Sequence, residues 1–148
     1  MDIGSEESFP AGTLSNFSAF TFTFDEILCA SMEGLVQAFK SDQIEDQVHS
    51  CSLIGIKAKR HGQQRNEAWK SAQKLWWQGQ EFDRHGQEYQ DLIDRAFDAL
   101  FTNEDFQQAL RATGNEVLTH SIGNADPTET ILTEAEFCDR LMKLRTQL

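Results

Sequence analysis

One stripe in the second half of the chain constrains the fold most. Tyr89, Leu92, Ile93, Ala96, Phe97 and Leu100 recur at steps of three and four. That spacing puts all six on one face of an α-helix, predicted over Gln87–Phe101. A helix with so wide an apolar face must bury it, so the rest of the chain has to supply partners. Further helices follow from the same reasoning. Phe106 and Leu110 face inward from a predicted helix over Glu104–Ala112, with Gly114 as its terminator. Thr133 and Glu136 match a capping box at the start of a last helix whose stripe is Phe137, Leu141, Leu144 and Leu148. Ser31 N-caps a predicted helix reaching Lys40, with Met32, Leu35, Val36 and Phe39 on one side. Ser50 or Ser52 caps another that runs through Lys57 and Arg60 and ends near Gly62.

Strand signals are shorter. Phe20, Phe22 and Phe24 alternate with Thr21 and Thr23, the period of a strand, and Asp25-Glu26 turns the chain into a second strand at Ile27–Cys29. Leu75-Trp76-Trp77, Gln78-Gly79 and Phe82 read as a short hairpin or an aromatic loop, and Val117–Ser121 as a short strand. Gln63–Lys74 is too polar to assign, Gly123–Thr130 is a loop, and Met1–Gly12 reads as a loose leader. The expectation is a mainly α (α+β) fold: a flexible leader over 1–12, then a single compact helical domain over 13–148 with a few short strands.

Charge narrows the partners. The 148 residues carry a formal net charge of −11, which argues against a broad basic face for duplex nucleic acid. A small phosphate-bearing ligand needs only a local patch and stays open. Cys29, Cys51 and Cys138 form no disulfide framework, which suits free thiols in a reducing compartment. Met1–Ser8 lacks the features of a signal peptide, and no apolar run reaches the length of a membrane span. The cytoplasm is therefore expected, with no membrane partner.

No metal, phosphate-loop, dinucleotide or nucleophile-elbow motif occurs, so no metal or cofactor is expected. The notable carboxylate is Glu33, in a first helical turn among Met32, Leu35 and Val36. The helix N-terminus favours its charge, while burial raises its pKa. It reads either as a solvated first-turn residue or as a group that activates water or stabilises a cationic sugar carbon. Lys57, Lys59, Arg60 and His61 are the only dense basic cluster, either a solvated face or a phosphate site. Trp76-Trp77 offers a ring to stack on a base or to fill the core.

Five segments, in order, resemble the NADAR (YbiA-like) superfamily. Leu14-Ser15-Asn16-Phe17 is similar to its Ser-Asn-Phe opening. Ser31–Lys40 resembles its Ser-x-Glu-His-x-x-Gln-Ala-x-Lys helix, with Glu33, Gln37, Ala38 and Lys40 in register. Ala58–Gly62 resembles an Ala-Lys-x-x-Gly segment. Ala112-Thr113-Gly114 and Leu118-Thr119-His120 resemble its Ala-Thr-Gly and Leu-x-His stretch, and Leu141–Arg145 its terminal Leu-Met-x-x-Arg helix.

The resemblance implies a YbiA-like fold and hydrolysis of an N-glycosidic bond. The implied substrates are ribose-phosphate or ADP-ribose derivatives, of the riboflavin-pathway intermediate or ADP-ribosylated guanine type. On this reading Glu33 is the catalytic carboxylate and Asp126, on the later loop, a second one. Asn16, Phe17, Gln37 and Lys40 contact the ligand, Lys57, Lys59 and Arg60 hold phosphate, and Trp76 or Trp77 stacks on the base. Two departures stand out. The family's His is Gly34 here, and its Trp-Gly pair is missing from Ile122–Pro127. They keep a second reading open, a non-catalytic module that binds ADP-ribose or a nucleotide.

Overall fold

The computed structural model describes residues 1–148. It has seven helices and two separate antiparallel hairpins. In chain order these are β1 (Phe22–Phe24), β2 (Ile27–Cys29), α1 (Met32–Ala38), α2 (Ile44–Cys51), α3 (Gly55–Gln63) and α4 (Asn66–Ala72). They continue with β3 (Lys74–Trp77), β4 (Gln80–Asp83), α5 (Gln87–Leu100), α6 (Glu104–Ala112) and α7 (Glu134–Arg145). The mainly helical α+β expectation holds.

Both hairpins close on two-residue turns whose residues have positive φ, Asp25-Glu26 and Gln78-Gly79, the turn geometry that matches strand twist. Thr133 and Glu136 form the capping box, and the Ser31 hydroxyl accepts from the Gly34 N–H at 3.0 Å. A core of 30 buried residues runs from Ile3 to Leu144 and contains the whole α5 stripe. Phe39 packs edge-on against Tyr89, and Phe97 meets Phe137 at a tilt. All three cysteines are buried free thiols.

Four expectations need correction. The predicted helix from Ser50 to Gly62 is two helices, with α2 beginning at Ile44 and α3 at Gly55. The face of α2 that meets α1 is polar, so apolar periodicity could not reveal it. Gln47 donates to the carbonyls of Ser41 and Trp76, and Ser50 donates to the Gly34 carbonyl at 2.8 Å. Close approach explains Gly34 as well: a Cβ there would lie 2.6 Å from the Ser50 carbonyl oxygen and 2.7 Å from that of Leu53. The second correction is that the unassigned polar stretch contains α4. The third concerns the leader, which is not loose. Ile3 is fully buried, Asp2 bridges to Thr119, and the Asp2 carboxylate accepts from Thr119 and Ser121. One apolar side chain with paired backbone on both sides fixes the segment. The fourth is that the strand expected over Val117–Ser121 is this single bridge.

Candidate active site

A cleft of about 340 Å³ opens where α1, α3, α4, the N-terminal segment and the loop before α7 meet. Helix α1 supplies its floor. Glu33 and Gln37 lie one turn apart on α1, and Lys40 follows in the turn that closes the helix, so all three line the cleft. Gln37 donates through Nε2 to Glu33 Oε1 at 2.9 Å. Its own amide oxygen is buried with no hydrogen-bond partner. The amide lies so close to α3 that a Cβ on Gly62 would overlap it, and that crowding leaves its carboxamide little room to turn.

Two opposed shifts meet on this floor. Burial pushes the Glu33 carboxyl up, and the Gln37 hydrogen bond with the charges of Lys40, Lys59 and His120 pulls it part of the way back. Burial lowers Lys40 to about 8, against the pull of Glu33. Lys40 Nζ donates to Asn66 Oδ1 at 2.6 Å, and Trp69 Nε1 donates to the same oxygen at 3.3 Å. The cleft thus holds an acid and an amine whose charged forms are both less favoured than in water.

Asn16 and Phe17 line the wall beside α1, where the Asn16 carbonyl accepts from the Glu33 N–H at 3.0 Å. From the basic cluster only Lys59 lines the cleft; Lys57 and Arg60 are exposed outside it. Helical phase is the reason. Lys59 and Gln63 are one turn apart and share the cleft face, whereas positions 57 and 60 are rotated away. Neither predicted tryptophan is present. Trp77 shares the core-facing side of β3 with Leu75 and donates to Asp25 Oδ2 at 2.8 Å, while Trp76 packs half-buried against the core from the other face. Trp69, from the stretch too polar to assign, is the indole that lines the cleft. Asp126 is exposed outside it, its carboxylate held low by the Thr128 N–H and hydroxyl.

Sequence reasoning also missed Asn66 and His120 as site residues. An Asn66–Trp69 spacing of three was their neighbourhood's only signal, and His120 stood in a resembling motif without a role. The back wall is Thr130, Ile131 and Leu132. Buried Arg84 donates through Nε to the Thr130 carbonyl at 2.9 Å, and the Tyr89 hydroxyl to that of Ile131 at 2.6 Å. Arg84 also pairs with Glu136 at 2.7 Å, so a buried ion pair fixes the wall.

The model of the family described as bacteriophage protein GP30.3 matches residues 8–146. A 17.1 kDa protein of the Gp30–rIII intergenic region of Enterobacteria phage T4 is 35% identical over 150 residues, covering 100% of this chain and 98% of that protein. Among solved structures, E. coli YbiA, determined by NMR, matches with a TM-score of 0.62 at 17% identity, covering 98% of this chain and 81% of YbiA. No helix is long and apolar enough to cross a membrane. The chain belongs to the bacteriophage protein GP30.3 family and has the YbiA fold that its NADAR resemblance implied.

Proposed function

We propose that the cleft hydrolyses an N-glycosidic bond in a ribose-phosphate or ADP-ribose derivative, of the ribosyl-amine or ADP-ribosylated guanine type, in the cytoplasm. One observation carries this reading. Glu33 sits in a cleft, braced at 2.9 Å by Gln37 and faced by Lys40. Its raised pKa makes it a stronger base than a free carboxylate. It takes the proton of the attacking water, or stabilises positive charge at the sugar carbon. Asn16 and Phe17 position the ribose and base, Lys40 assists at the reacting end, and Trp69 takes the stacking role first given to Trp76 or Trp77. Lys59, exposed at the cleft, holds phosphate.

The test is incubation with a panel of ribosyl-amine intermediates and ADP-ribosylated guanosine, read by mass spectrometry. Release of the free base with the hydrolysed sugar supports the reading. Binding without release makes the protein a nucleotide-binding module, and absence of both removes the proposal. The phosphate role has its own check by calorimetry with free ADP-ribose. Lys59→Ala weakens binding, more at low salt than at high salt, whereas Lys57→Ala and Arg60→Ala bind as wild type. Equal effects in all three return Lys59 to a solvated face.

A further inference from the structure

The cleft also holds an imidazole whose orientation is fixed by its neighbours. His120 is half-buried on the wall that follows the Asp2–Thr119 bridge. Its Nδ1 lies 2.7 Å from the Ile3 carbonyl oxygen. A carbonyl only accepts, so Nδ1 carries a hydrogen and the neutral ring keeps its lone pair on Nε2. Nε2 makes no hydrogen bond within the protein. Phe137 meets the ring edge-on at 5.2 Å. The edge carrying Cδ2 and Nε2 lies against Gly123, where a Cβ would come within 2.6 Å of Cδ2. The His120 N–H donates to Glu134 at 2.9 Å, which ties the backbone as well. An imidazole held by Ile3, Phe137 and Gly123, with Nε2 unpartnered, on a residue that lines the same cleft as a carboxylate, is positioned for proton transfer.

We propose that His120 is the general acid of the reaction, giving the Nε2 proton to the nitrogen that leaves the sugar. This rests on the N-glycosidase reading and adds the half of the chemistry that Glu33 leaves undone. The bond between the sugar carbon and the nitrogen breaks, and its electron pair goes to nitrogen. Nitrogen takes the proton from Nε2 of the imidazolium and leaves as a neutral amine. Water adds to the sugar carbon and loses its proton to Glu33, and solvent restores both groups. Glu33 is the acceptor because the Gln37 amide and two lysines support its ionised form. Lys40 is the rival donor, but its ammonium is held by Asn66 at 2.6 Å, while Nε2 of His120 is unpartnered.

Leaving-group dependence tests the assignment. One substrate is the amine-linked ribosyl compound of the panel. The other carries nicotinamide on the same sugar, which departs neutral from its pyridinium form and needs no proton. His120→Asn keeps a side-chain N–H for the Ile3 carbonyl and loses the acid, and thermal unfolding confirms that it folds. It slows release of the amine by about a hundredfold or more and release of nicotinamide by less than about threefold. Equal losses on both substrates, no loss on either, or a selective loss in Lys40→Met instead of His120→Asn overturns the proposal. Glu33→Gln slows both substrates. If it slows neither, or the wild type cleaves neither, the N-glycosidase reading itself fails. Nitrogen-15 shifts of the free protein give a readout without substrate: Nδ1 is the protonated nitrogen of the neutral ring, and the opposite tautomer overturns the assignment.

Discussion

Glu33→Gln slows turnover by about a hundredfold or more while ligand affinity stays within about threefold. The substitution preserves shape and the contact with Gln37, whose amide donates equally well to a carboxamide oxygen. It removes the negative charge, and with it, on the proposed mechanism, both the base and the field at the sugar carbon. A group acting only in the transition state lowers kcat and leaves binding alone, so kcat falls and the dissociation constant of ADP-ribose does not. Stability moves the other way. Burial raises the folded-state pKa of Glu33 above its unfolded value. The favourable protonated form is therefore fully present at low pH, and its benefit is lost as pH rises through the folded pKa. Near neutrality the ionised carboxylate is a cost, and Glu33→Gln melts at or above the wild-type temperature. A residue that harms stability and is needed for rate is the signature of a functional site. Wild-type turnover in Glu33→Gln, or a lower melting temperature with unchanged rate, makes Glu33 a structural residue.

Arg84→Met destabilises the protein by about 3–5 kcal/mol, the cost of breaking a buried pair by removing one partner. Arg84 is 1% exposed, donates twice to Glu136, at 2.7 and 3.2 Å, and stacks over the Tyr89 ring. Without it Glu136 keeps a charge in a half-dry site, and the Thr130 carbonyl loses its donor. Glu136→Gln costs less, because an amide still accepts from Arg84 and from the Thr133 N–H. Urea unfolding of the two single variants and the double variant measures their coupling, and additive losses sink the claim of a buried pair. Acid weakens the same pair. Burial works to raise the Glu136 carboxyl, but Arg84, the Thr133 N–H and Gln90 outweigh it and the net shift is downward. Its stabilisation is therefore present above the unfolded carboxylate pKa and lost as pH falls through the lower folded value. Arg84→Met flattens that acid limb.

The parts of the fold visible in sequence are those whose energy comes from apolar burial. The α5 stripe, the capping box of α7, the alternation of β1 and the Gln78-Gly79 turn each carry a local rule that the packing obeys. Helix α2 obeys none, because it is glued to α1 through Gln47, Ser50 and a bare glycine. The cleft divides the same way. Glu33 and Gln37 share a face of one helix and Lys40 follows in its closing turn, so their convergence is written in their spacing. Lys59 could not be separated from Lys57 and Arg60 until the phase of α3 was known. Asn66, Trp69 and His120 reach the cleft through tertiary contacts that no local pattern encodes. Gly34, which departs from the family pattern, lies where α1 comes so close to the Ser50 and Leu53 carbonyls that no Cβ fits.

The contact between His120 and Ile3 also sets the order in which the cleft is built. The two residues are 117 positions apart, and closing so long a loop costs about 2 kcal/mol more than closing one of about ten residues. Glu33, Gln37 and Lys40 assemble as soon as one short helix docks. The imidazole wall waits until almost the whole chain has been made and its two distant segments have met. During synthesis the Glu33 side of the cleft is therefore made before the His120 side.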